Sequence, residues 1–345
     1  MSLFRHLLSP KRSAPGPRRS LSLAVEELES RLVPSYTFNT GILIINADSP
    51  SSNDVVHIRA AGTASDGTTG VQVDSNLVNG GSPTTIGGPG TPVVRIALDL
   101  KDGNDTVSIA GLAQTKIRVG EGNGNNSIRV GDSLNIAVAA GNGHNSVKVG
   151  GGTDNSLAGI APGNILSPAG TVVELGWSYR IDSAGGLFTP FTPIGGNLSR
   201  NKVVVGDHEG QSAVVDIAGD GSNSVSTGNG NDIVWIQGNG DNHIKAEAGT
   251  NQIQVDGNGD NHIRASGAGT ITVNGRGDNR INAGANPSDA VFLNFTGKGG
   301  RNHVQAAVGA HVEVNGKTVT SSGKYDNTHT FVQFGKKDDD GRDDM

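Results

Sequence analysis

"GNGDNHIKAEAGTNQIQVDGNGDNHIRASGAGTITVNGRGDNRINAG", residues 238–284, says nearly the same thing three times. Asn242, Asn261 and Asn279 fall 19 and then 18 residues apart, and Ile244, Ile263 and Ile281 each follow two positions later. A fixed period this short is the signature of stacked coils, in which each copy buries its apolar face only against its neighbours. Ile244/Ala246, Ile263/Ala265 and Ile281/Ala283 alternate with polar residues, so they share one strand face and align into inward columns when the copies stack. Ile253/Val255 and Ile271/Val273 mark a second strand per copy. The expected unit is strand, Gly/Asn turn, strand, turn. The expected fold is all-β, a parallel β-solenoid of the β-roll or β-helix kind with coils of about 19 residues.

The period extends in both directions. "GEGNGNNSIRVGDSLNIAVAAGNGHNSVKVG" (120–150) sets Asn126 and Asn145 nineteen apart, with Ile128/Val130 and Val147/Val149 in matching places. Further upstream, "TGILIINADSPSSNDVVHIRAAG", "GVQVDSNLVNGG" and "TPVVRIALDLKDGNDTVSIAG" are β-branched runs separated by Gly, Asn, Asp and Pro, which read as strands and turns. About 170 repeat residues at roughly 4.8 Å per coil would give some nine coils and a rod on the order of 40 Å long. Residues 151–201 break the period and hold Trp177, Tyr179, Phe188 and Phe191. Such an insert is expected to fold over the solenoid flank and bury its rings, or else to offer a stacking platform for carbohydrate. The organisation is thus a basic, Pro-rich leader with a short helix over 1–36, strands and a first repeat block over 37–150, the insert over 151–201, a second block with its cap over 202–320, and an acidic tail over 321–345.

The chain's 345 residues include 53 glycines and only 4% aromatics, too few large side chains for a thick core of packed layers. A thin core of small aliphatics, repeated many times, suits these numbers. No cysteine is present, which excludes disulfide staples, thiolate chemistry and a Cys-ligated zinc. Residues 37–345 hold 21 basic and 30 acidic residues, a formal net charge of −9 that argues against nucleic-acid binding and is compatible with cation binding. No stretch approaches the roughly 18 apolar residues of a membrane span, so no transmembrane segment is expected. The leader also lacks the apolar run of roughly 7–15 residues of a standard secretory signal.

"LKDGNDTVSIAG" (100–111) resembles the G-G-x-G-x-D-x-U-x nonapeptide of repeat-in-toxin (RTX) calcium-binding proteins, with Gly103, Asp105 and Val107 in the Gly, Asp and aliphatic places and Asp102 just before. "GNGNDIVWI" is similar through Gly228, Gly230, Asp232 and Val234, and "SSNDVVHI" through Asp54 and Val56. The resemblance implies a β-roll with calcium between neighbouring turns, held by backbone carbonyls and Asp carboxylates. It makes Asp102, Asp105 and Asp232 the leading candidate ligands. Elsewhere the Asp place is taken by Asn126, Asn145, Asn223, Asn242, Asn261 and Asn279, each of which removes a charge from such a site. These asparagines could instead form a ladder of stacked amides that needs no metal. Asp241, Asp260 and Asp278 precede three of them, and in a solenoid they would stack as like charges. Either the nearby Lys245, Arg264 and Arg280 or bound calcium should compensate, which makes these three aspartates secondary ligand candidates.

His243, His262 and His303 share a repeat position with Arg280, beside inward isoleucines, and are expected to face solvent. Arg276-Gly277-Asp278 matches an adhesion tripeptide, but it stands in register with the preceding "GNGD" turns and reads as repeat drift. No nucleophile elbow, H-E-x-x-H, Walker or dinucleotide fingerprint occurs. "LAVEELESRLVPS" resembles the LE-x-R-x-x-P-S leader of exported planctomycete bacterial proteins through Leu28, Glu29, Arg31, Pro34 and Ser35. Together these readings imply a non-enzymatic, extracellular or cell-surface structural or adhesive solenoid, with calcium as candidate cofactor and surface polysaccharide or matrix as candidate partner. The competing reading is a β-helical polysaccharide-active enzyme or carbohydrate binder that uses the insert.

Overall fold

Short β-branched runs punctuated by glycine and asparagine become short strands that pair with the equivalent strand one repeat away. A computed structural model describes residues 36–47, 49–62, 70–153, 157–161, 165–176, 180–181, 185, 187–188, 200–206, 211–297, 299–325 and 329–335. All of them belong to one unit spanning Pro34–Met345. The leader and its LE-x-R-x-x-P-S residues, the tail beyond residue 335, and Trp177, Tyr179 and Phe191 lie outside the described residues.

Two long sheets carry the architecture, one of 13 strands and one of 14, and the chain visits them alternately. In the last clear repeat, strand Thr250–Asp256 lies in the first sheet, a glycine turn follows, and His262–Ala265 lies in the second before the chain returns to Ala268–Asn274. Thr250–Asp256 pairs in parallel with Ala268–Asn274, and His262–Ala265 with Asn279–Ala283, so each sheet grows by one strand per coil. This is the expected parallel β-solenoid. Eleven parallel strands run in each sheet among the described residues, against some nine coils expected. The extra coils come from the degenerate ends, where Ile42–Asn46 with Val55–Ala60, and His311–Val314 with Thr330–Phe334, keep the pairing register after losing the repeat motif.

Between the sheets lies one continuous core of small aliphatics. Val138, Val173, Val215, Val234, Ile253 and Ile271 form one column across the first sheet, each paired with the next and each buried. Val147, Val203, Val225, Ile244, Ile263 and Ile281 form its counterpart across the second. Every open sheet edge is closed by an antiparallel strand: Tyr36–Asn39 and Lys317–Val319 on the first sheet, and Val71–Ser75 with Thr84–Ile86 and Gly323–Tyr325 on the second. Such strands hide the row of unpaired amides that a parallel edge would offer to another chain.

Within residues 151–201, expected to break the period, one described stretch keeps it. Thr171–Leu175 is a regular strand of the first sheet, paired in parallel with Ser133–Ala140 and Ala213–Ala218. Two excursions flank it, a hairpin of Leu157–Ala161 with Ile165–Ala169 and another of Arg180–Ile181 with Leu187–Phe188. Both lie against the outer face of the first sheet. On that face outward-facing Ala137, Val172, Val214 and Ile233 form a second buried cluster, beside the buried Arg118, Glu174 and Asp216.

Candidate functional site

The turns leading from the first sheet to the second gather most of the residues singled out in the sequence. They need glycine because coils stack backbone on backbone there. Gly259 adopts a φ of +153°, and a Cβ on it would collide with the carbonyl oxygen of Gly240 one coil below. Just after these glycines comes the asparagine, buried, with its side chain turned along the rod. Nδ2 of Asn242 donates to Oδ1 of Asn261 at 2.9 Å, Asn261 to Asn279 at 2.8 Å, and Asn279 to Asn302 at 2.8 Å. Towards the other end, Asn126 donates to Asn145 at 3.1 Å, Asn145 to Asn201 at 3.2 Å, Asn201 to Asn223 at 2.9 Å and Asn223 to Asn242 at 2.9 Å. The second amide hydrogen goes to a glycine carbonyl of the same turn, as from Asn242 to Gly240 at 2.9 Å and from Asn261 to Gly259 at 3.0 Å. Along most of the ladder Oδ1 also accepts a backbone N–H from the preceding coil, as Asn261 does from Asn242 at 3.3 Å. A buried amide with all its partners met is the arrangement that low-dielectric interiors require.

The ladder therefore forms, and it is longer than its sequence signal. Asn201 continues it although it sits at the end of the irregular segment, and Asn302 continues it although its turn has lost the repeat spelling. Asn302 passes the ladder to Thr330 Oγ1 at 3.3 Å. In Asn201 the one available signal was an asparagine placed two residues before an aliphatic, Val203, as in the other copies.

Asp54 and Asp105 occupy the first two rungs. Oδ1 of Asp105 accepts the Asp54 N–H at 2.8 Å, and the Asp105 N–H reaches Oδ1 of Asn126 at 3.0 Å. Asp105 is buried, and Glu121, fully buried in the inward column that holds Ala140 in the next coil, faces it. As two carboxylates they would meet without a donor between them. Burial, followed by the hydrogen bond and charge of Asp105, pushes the Glu121 carboxyl well above its ordinary value, while burial raises Asp105. Both shifts favour a protonated carboxyl at this contact, Glu121 being the more strongly raised.

The other singled-out aspartates lie apart from this pair. Asp102 is exposed and accepts the Asn123 N–H at 2.7 Å. Asp232 stands on the opposite turn, ahead of strand Ile233–Gln237, where it accepts the Ala213 N–H at 2.9 Å. Asp105 and Asp232 therefore belong to different edges of the rod. Asp241, Asp260 and Asp278 form an exposed column, in which Asp241 accepts the Asp260 N–H at 2.8 Å, Asp260 that of Asp278 at 2.6 Å and Asp278 that of Arg301 at 2.7 Å. Each of these carboxylates thus accepts a backbone amide, while Lys245, one of the cations expected to compensate them, pairs with Glu247. No group of three or more His, Asp or Glu is arranged to hold a metal ion among the described residues.

His243, His262, Arg280 and His303 follow one another in register along the outer face of the second sheet and are exposed, as expected. The His243 and His262 rings meet edge to face at 4.9 Å. On the first sheet, Glu174 and Asp216 are paired neighbours, 6% and 0% exposed. A carboxylate pair that acts on a glycan must be reached by it, and these two lie covered. Among the described residues no helix is long and apolar enough to cross a membrane. In comparisons with protein-family models, curated proteins and solved structures, nothing matches this chain.

Proposed function

We propose that the chain is a non-catalytic structural or adhesive rod, working at the cell surface or outside the cell, whose turns are closed by amide ladders so that calcium is dispensable for folding. The observation that carries this reading is the buried asparagine ladder, which runs from Asn126 to Asn302 with its donors and acceptors matched. Neutral amides do here what an RTX-type turn asks of calcium and aspartate, namely to link one coil to the next. The RTX-like spelling at Asp105 and Asp232 supports common turn geometry, while their Oδ1 atoms are already engaged by backbone N–H groups. Repetition supplies length and stiffness rather than a pocket, which suits a spacer or display element. The leader resemblance supports export.

The test is localisation of the full chain in its native cells by fractionation and surface protease accessibility. Recovery in the surface or extracellular fraction is expected, and exclusive recovery in the cytoplasm would refute the assignment.

A further inference from the structure

The two outer faces of the rod differ in kind. The first sheet's face is covered by the two hairpins over much of its middle. Along the second sheet, the outward positions of the eleven parallel strands carry seven lysines and arginines and four histidines, and no aspartate or glutamate. Arg59, Arg129, Lys148 and Lys202 lie in the N-terminal half. Lys245, Arg264 and Arg280 lie in the C-terminal half, with His243, His262 and His303 among them. On a body of net negative charge, chance does not readily clear one face of acids. The acids that border it are Asp74, opposite His57 on the closing strand, Glu247, which pairs with Lys245, and the aspartate column of the turns. His262 registers the resulting field, because burial and then the charges of His243, Arg280 and Arg264 lower its pKa.

We infer that this face binds an acidic polysaccharide, a chain of uronate- or sulfate-bearing sugars laid along the rod. The inference rests on the adhesive reading above and names its ligand class. Charge complementarity calls for a polyanion. The residues between the cations narrow the choice: Ser108, Ser127, Ser146, Ser224, Asn282 and Gln305 share the same outward columns and offer hydroxyl and amide groups to sugar hydroxyls. Duplex DNA is read by an element entering a groove, and single strands by rows of aromatic platforms. This face is a sheet surface, and its exposed aromatic among the described residues is Phe331 at one end, stacked on His303. Strands repeat at about 4.8 Å, so the cations from Arg59 to Arg280, on the first and ninth parallel strands, span about 40 Å. An extended polysaccharide advances by a similar step per sugar.

The test uses the full chain and alginate oligomers, a polyuronate, as probe, with dextran, a DNA duplex and phosphatidylserine vesicles alongside. Alginate should bind with an affinity that falls steeply with salt. The triple variant Arg129→Ser, Lys148→Ser, Lys202→Ser should weaken binding tenfold or more and lower the log–log salt slope by about 3. The charge-matched control Lys116→Ser, Arg276→Ser, Lys317→Ser, with Lys116 and Lys317 on the first sheet and Arg276 in a turn, should stay within about twofold. Circular dichroism verifies that both variants fold. Equal losses in the two triples, or tighter binding to DNA or to the vesicles than to alginate, would overturn the inference. So would a folded chain that ignores alginate, an outcome that leaves the rod and its surface location, tested by fractionation, standing.

Discussion

Asn261 shows what the ladder asks of a single residue. It gives one amide hydrogen to Asn279 and the other to Gly259, and its oxygen takes the Asn242 amide hydrogen and backbone N–H. Aspartate has the same shape but no donors. Asn261→Asp is therefore expected to strand two buried acceptors and to destabilise by about 3 kcal/mol or more, measured by denaturant unfolding. If the turn were a dormant calcium site, the same change would restore the RTX-type aspartate, and added calcium would recover the loss. No recovery is expected. Glu121 makes the opposite point, an acid where the column wants an aliphatic. A carboxyl with a raised folded-state pKa keeps its proton at pH values where the unfolded chain has released it. Stability from this group is complete below the ordinary glutamate range and is lost as pH rises through the raised value. Glu121→Gln keeps a donor towards Asp105 and removes the charge. Its melting temperature should decline less between pH 4 and 9 than that of the unaltered chain, and an identical decline would count against the shared proton.

At the scale of the element, one coil is two four- to ten-residue strands and two turns, and its faces have unequal weight. Ile263→Ala empties part of an inward column and should cost about 2–5 kcal/mol, whereas His262→Ala, on the outer face of the same strand, should stay within about 0.5 kcal/mol. Unfolding curves of the two variants give the comparison directly, and equal losses would mean the strand faces are misassigned. The coil was legible in the sequence because period-2 alternation and a 19-residue repeat are local signals. Asn126, Asn145, Asn223, Asn242, Asn261 and Asn279 announced the ladder for the same reason. Thr171–Leu175 was hidden because its turns had been replaced by two hairpins, so the strand survived while the punctuation that marks a coil did not. The pairing of Asp105 with Glu121 was hidden too. It joins a turn to an inward strand position 16 residues away, and spacing alone does not reveal that two acids at that separation share a proton.

At the scale of the whole molecule, a parallel stack is stable only in company. Its coils hold one another, and its edges must be closed. A chain ended at Asn315 loses the strands Lys317–Val319, Gly323–Tyr325 and Thr330–Phe334 that finish both sheets. Light scattering should find it self-associated where the full chain is not, and a monodisperse truncation would show that these strands do not guard the edges. The amide ladder ties the same coils together along one edge of the rod, and whether it does so without a metal decides between a self-sufficient scaffold and an RTX-type roll that folds on meeting calcium. The most direct measurement is a thermal melt of the full chain followed by circular dichroism, in EDTA and again across a calcium titration. The expected result is a β-rich spectrum in EDTA and a melting temperature unmoved by calcium. A spectrum that becomes β-rich only when calcium is added, or a large rise in melting temperature with it, would contradict the ladder as the agent that closes the turns.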